Sequence, residues 1–238
     1  MVDAIDSKSI LGCQGAGSSP VIGKLVLLDF DGLLVDTESL HHLAYQEALE
    51  SLGCPLDINF NTYIGLAHHA SGTGLKDYIY NLYPSLSGKW EAIRKDKISV
   101  YSCLSKSGAR LMPCAEEFIA LLNKEKIPCA VVTNSLKKDV ERIIAHHPIL
   151  QTIPHYITRE TYEKPKPAPD GYLIALELFP HIKPHDALGL EDTLKGIDAI
   201  KKAGVRPLLV CHQSHPQLAH AKGVNYVNSL CKLCPNRS

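Results

Sequence analysis

Apolar residues in this chain gather into short unbroken runs, and stretches with apolar positions every three or four residues lie between them. Leu25-Val26-Leu27-Leu28 is such a run and predicts a strand buried on both faces. From Thr37 the spacing becomes helical: Leu40, Leu43, Ala44, Ala48 and Leu49 share one face, and Gly53 closes the segment. Further helices are predicted over 74–82 and 88–105, with no strand between 37 and 107. Beyond that the pattern alternates. Helices are predicted over 114–126, 136–147, 170–179 and 194–203, the last ended by Gly204. Strands are predicted at Ala130-Val131-Val132, Tyr156-Ile157-Thr158, Ala187-Leu188-Gly189-Leu190 and Pro207-Leu208-Leu209-Val210.

Strand and helix in alternation imply an α/β protein: a Rossmann-like parallel sheet with helices on both faces and an all-helical lobe inserted after the first strand. The expected organisation is a loose leader over 1–20, a core over 21–36 and 108–230, a helical cap over 37–107 and a tail over 231–238. Open parallel sheets place ligands at the carboxyl ends of their strands. Polar clusters sit at three such ends: 29–32, 133–135 and 191–193.

Composition narrows the class. The 238 residues are 45% hydrophobic and 21% charged, enough for a sizeable core. Lys plus Arg and Asp plus Glu are 25 each, so no basic field argues for nucleic acid. No apolar stretch reaches the length of a membrane span, and the first residues, without a basic region followed by an apolar run, are not expected to act as a secretory signal. The eight cysteines are scattered, which is read as reduced thiols in the cytoplasm. Cys231-Lys-Leu-Cys234 is a lone CxxC, lacking the further ligands a zinc site needs.

The clusters carry chemistry. Asp29 and Asp31 close the first strand, and two near carboxylates at a buried end call for a cation. Glu191 and Asp192 can complete an oxygen-rich site suited to Mg2+. Thr133 and Asn134, ahead of a helix start, make an anion cradle, and Lys164 or Lys166 in the Pro-rich loop can add positive charge. Together these describe phosphoryl transfer to a carboxylate nucleophile.

In order and placement, Asp29-Phe30-Asp31-Gly32-Leu33-Leu34-Val35-Asp36-Thr37-Glu38, Val131-Val132-Thr133-Asn134-Ser135, Lys166-Pro167-Ala168-Pro169-Asp170 and Gly189-Leu190-Glu191-Asp192-Thr193 resemble the four motifs of the haloacid dehalogenase-like superfamily. Within it the pattern is similar to the phosphatase and phosphomutase group with a helical cap, over about residues 24–228. The resemblance implies Asp29 as the nucleophile that forms an aspartyl phosphate and Asp31 as acid/base, with its backbone carbonyl on Mg2+. It implies Thr133, Asn134 and Lys166, rather than Lys164, on the phosphoryl group. Asp192 is the implied main metal ligand, assisted by Glu191. Dehalogenases of the superfamily lack the second Asp, so Asp31 argues against that reaction.

Departures bear on the substrate. Sugar-phosphate mutases of this group carry a cap Arg shortly after a Gly, where this chain reads Gly65-Leu66-Ala67-His68-His69. Lys76 is the nearest substitute. His41 falls where some mutase relatives have a functional His near the hinge, which makes it a candidate for substrate contact or gating. The usual Gly after Pro113 is Cys114. The expected protein is a Mg2+-dependent phosphatase for a small phosphorylated metabolite, a monomer or weak dimer without nucleic-acid or membrane partners. A sugar phosphomutase and a non-catalytic binding module are the alternatives.

Overall fold

The computed structural model describes residues 23–67, 73–213 and 215–234. The leader over 1–20, His68 and His69 lie outside the described residues. The chain divides into two compact units, Met1–Val35 with Arg110–Ser238, and Asp36–Ala109.

The first unit is built on a parallel sheet of six strands in the order β3-β2-β1-β4-β5-β6. Its strands are β1 (Leu25–Leu28), β2 (Cys129–Val132), β3 (Tyr156–Ile157), β4 (Ala187–Glu191), β5 (Arg206–Val210) and β6 (Tyr226–Val227). All four residues of β1 are fully buried, as an apolar run between two neighbours requires. Val26 pairs with Cys129 on one side and Leu188 on the other. Cys129 and Cys211 stay free in the core, where burial pushes their thiols up to about 11 and about 12.

The sequence reading of eight reduced thiols fails at Cys114 and Cys231, which are joined by a disulfide across 117 positions. The spacing signals that identify local cysteine motifs cannot register so long a separation. Packing brings the pair together: Cys114 precedes the helix Ala115–Lys124, and Cys231 lies in a 3-10 helix, Leu230–Leu233, whose Leu230 and Leu233 are buried. Cys114 sits at φ 61, a left-handed conformation that costs a non-glycine residue about 1 kcal/mol or more.

The second unit consists, among its described residues, of α1 (Thr37–Glu50), α2 (Phe60–Ala67), α3 (Gly74–Leu82), α4 (Trp90–Leu104) and short 3-10 turns. Asp36 starts α1 by accepting from the Ser39 amide at 3.2 Å and its hydroxyl at 2.8 Å. Leu49, Ile64, Ile79 and Ile93 meet in its core. No described helix is long and apolar enough to cross a membrane.

Lys97 of α4 is half-buried in this unit, with Nζ 2.6 Å from His41 Nδ1 and 5.2 Å from the Tyr45 and Tyr101 rings. Burial lowers its ammonium to about 8, against a partial upward pull from Glu38. A lysine depressed in the folded state holds fewer protons there than when unfolded, so stability should rise as pH climbs from about 8 toward its ordinary value of 10.5. Lys97→Met should therefore melt higher than wild type at pH 7, and the difference should shrink above pH ~10. Melts at several pH values check this, and a gap that does not change with pH would contradict it.

Candidate active site

Backbone pairing positions the acidic groups. The Asp29 amide donates to the Leu190 carbonyl at 3.0 Å, which extends the β1–β4 ladder by one step and sets Asp29 beside Glu191. The chain then turns back: the Gly32 amide reaches Val35 O at 2.8 Å, and those of Leu34 and Val35 reach Phe30 O. Gly32 has φ +76, and a Cβ there would overlap the Asp192 carboxylate, so glycine is needed for both conformation and space. At the next strand end, a Cβ on Gly196 would overlap the Glu191 carboxylate.

Lys166 is the hub. Its Nζ donates to Asp29 Oδ1 at 2.5 Å, Glu191 Oε1 at 2.6 Å and Val132 O at 2.7 Å, which uses all three ammonium protons. Lys166, Asp29 and Glu191 are all buried. Burial alone would pull the Lys166 ammonium down, but Asp29 and Glu191 outweigh it and hold it well above an ordinary lysine. The Asp29 carboxyl is also raised, by burial first and then by repulsion from Glu191, against the pull of Lys166. The Lys166 shift reflects two carboxylates, Asp29 and Glu191, facing one ammonium.

Ligand oxygens of Asp29, Glu191 and Asp192 lie within 4.8 Å of one another. Three carboxylates against one ammonium, with only hard oxygen donors, fit Mg2+. The Asp31 carboxylate faces elsewhere, accepting from Thr133 Oγ1 at 2.9 Å and Ser135 Oγ at 2.7 Å.

Of the residues expected from the sequence, Asp29, Lys166, Glu191 and Asp192 thus converge, and Asp31 meets Thr133. Asn134 joins through its Oδ1, which accepts from the Lys166 amide at 3.1 Å. Lys164 is exposed, with its amide bound to Asp170 Oδ1 at 3.0 Å. Lys76 lies in the helical unit, 5.6 Å over the Tyr80 ring. His41, in the same unit, stacks on Tyr101 at 4.2 Å.

Sequence reasoning missed three contributors. Ser135 was seen only as part of a motif. Tyr162 donates to Thr133 O at 2.6 Å and Asn134 Oδ1 at 2.8 Å, which fixes the orientation of that amide. Tyr172 donates to Glu191 Oε1 at 2.9 Å. It lies in the first turn of the helix Asp170–Glu177, beyond the Pro-rich loop that holds Lys166, and a buried tyrosine in a helix reads first as core.

The sequence profile of the haloacid dehalogenase-like hydrolases matches residues 26–210. A protein of Drosophila melanogaster named "Probable pseudouridine-5'-phosphatase" is 30% identical, covering 87% of this chain and 88% of its own. A beta-phosphoglucomutase of Bacillus subtilis is 26% identical, over 76% and 80%. The crystal structure of a hydrolase from Deinococcus radiodurans with bound phosphate and sodium superposes with a TM-score of 0.72 at 20% identity, covering 90% of this chain and 94% of that one. That likeness is one of fold.

Proposed function

The chain belongs to the haloacid dehalogenase-like hydrolases, and within that family we propose that it is a Mg2+-dependent phosphatase of a small phosphorylated metabolite, working through an aspartyl phosphate on Asp29. The observation that carries this reading is the buried Asp29 carboxylate, held at the end of β1 by Lys166 and faced by two further carboxylates.

With Oδ1 held by Lys166, Asp29 attacks phosphorus through Oδ2 and the bond from phosphorus to the substrate oxygen breaks. Asp31 gives that leaving oxygen its proton. A water then attacks the aspartyl phosphate, Asp31 takes the water's proton, and the carboxylate of Asp29 is regenerated with release of inorganic phosphate. Thr133 and Ser135, both donating to Asp31 Oδ2, hold the acid/base group in place. Asp29, Glu191, Asp192 and the Asp31 carbonyl would hold Mg2+, which neutralises charge on the transferring group. Thr133 and Asn134 are the proposed cradle for that group, and Lys166, with its three protons donated to Asp29, Glu191 and Val132 O, adds positive charge. His41, in the helical unit, is carried in this proposal as the candidate for substrate contact or gating.

The test is phosphate release from a panel of sugar, polyol and nucleoside monophosphates, including pseudouridine 5'-phosphate, with Mg2+ and with EDTA. Release from a few members, silenced by EDTA and restored by Mg2+, is the expected result. Activity that survives chelation would remove the metal from the reading. Isomerisation of a sugar phosphate without release would make the protein a mutase. Neither reaction on any member would leave a binding module.

A further inference from the structure

Tyr172 is fully buried and, among the described residues, is the largest side chain at that level of burial. Space-filling alone would be served by phenylalanine, because a buried hydroxyl needs a partner. Its partner here is a carboxylate of the acidic trio. Glu191 Oε1 receives two short bonds, from Tyr172 at 2.9 Å and from Lys166 at 2.6 Å. Glu191 Oε2 receives one longer bond, from Thr193 Oγ1 at 3.2 Å. A carboxylate oxygen accepts about two hydrogen bonds, so Oε1 is filled and Oε2 is not. The Lys166 ammonium lies 5.2 Å from the centre of the Tyr172 ring, so the tyrosine braces both partners of the Lys166–Glu191 pair.

We propose that Tyr172 is a positioning residue of the cation site: its hydroxyl, together with Lys166, occupies Glu191 Oε1 and so presents Oε2 as the metal-facing oxygen. Gly196 supplies the other half of the arrangement, since any side chain there would displace the same carboxylate. Groups that orient a metal-binding carboxylate from behind change affinity by about 10–100-fold when removed.

This inference rests on the reading of Asp29, Glu191 and Asp192 as a Mg2+ site, and the experiment separates the two. Mg2+ binding is measured by titration calorimetry without substrate on wild type, Asp192→Ala and Tyr172→Phe. Wild type should bind and Asp192→Ala should not. If wild type shows no binding, the site reading itself falls. Tyr172→Phe should bind about tenfold more weakly while melting within a few degrees of wild type in EDTA. In turnover it should need about tenfold more Mg2+ for half-maximal rate, with kcat recovering at saturation. A Mg2+ affinity equal to wild type would overturn the proposal, and so would a variant that does not fold, which would make the tyrosine structural. The same holds if Tyr172→Phe weakens binding as much in a Glu191→Gln background as in wild type, because the effect would then not run through Glu191.

Discussion

Asp29→Asn should remove phosphate release by ~10³-fold or more, because deleting a covalent nucleophile leaves only binding and electrostatic assistance. The same change should leave the metal-free protein at least as stable as wild type. Asp29 is buried with its carboxyl raised, chiefly by desolvation and next by Glu191, so the folded state favours its neutral form. A raised carboxyl costs stability once pH exceeds its unfolded value, and a neutral isostere removes that cost. Lys166 keeps Glu191 and the Val132 carbonyl as partners. Activity would be read by phosphate release and stability by melting in EDTA. Turnover within about tenfold of wild type would discard Asp29 as nucleophile. A melt lowered by several degrees would show that Asp29 holds the metal-free fold together, as ordinary ion-pair partners do.

The second large effect concerns the Cys114–Cys231 disulfide. A bridge closing a loop of about 100 residues stabilises a fold by about 4–5 kcal/mol in the chain-entropy account. For a protein of this size that corresponds to a melting shift of roughly 10 °C. Wild type should therefore melt lower in the presence of a thiol reductant. The double variant Cys114→Ser/Cys231→Ser should melt at that lower temperature with or without reductant. The left-handed Cys114 works against the full figure, since reduction lets that residue relax. If reductant leaves the wild-type melt where it was, the bridge contributes nothing to the folded protein.

Much of this molecule was legible because its elements are long or its motifs local. β1 was plain as four apolar residues in a row, and the parallel α/β core followed from the alternation. Asp29, Asp31, Thr133, Lys166 and Asp192 stood out because they lie within a few residues of a strand end or in a proline-rich loop. β6 was missed: Tyr226–Val227 is two residues long and has no period to detect. The helix Phe60–Ala67 escaped because its apolar and polar residues do not separate cleanly onto two faces. The Tyr172–Glu191 and Cys114–Cys231 pairs are set by tertiary packing between distant segments, and no local pattern announces them.

The position of β1 has a consequence for how the protein is made. This central strand leaves the ribosome early, yet Val26 has to wait for Cys129 and Leu188 as partners. At ~5–20 residues per second that interval runs to roughly 5–20 s for the nearer neighbour alone. Meanwhile Asp36–Ala109, whose core closes on itself, can fold. Newly made chains thus carry a finished helical unit beside an orphaned apolar strand, the kind of segment that chaperones recognise. Production of this protein in cells should respond more to chaperone supply and translation speed than to changes within the helices.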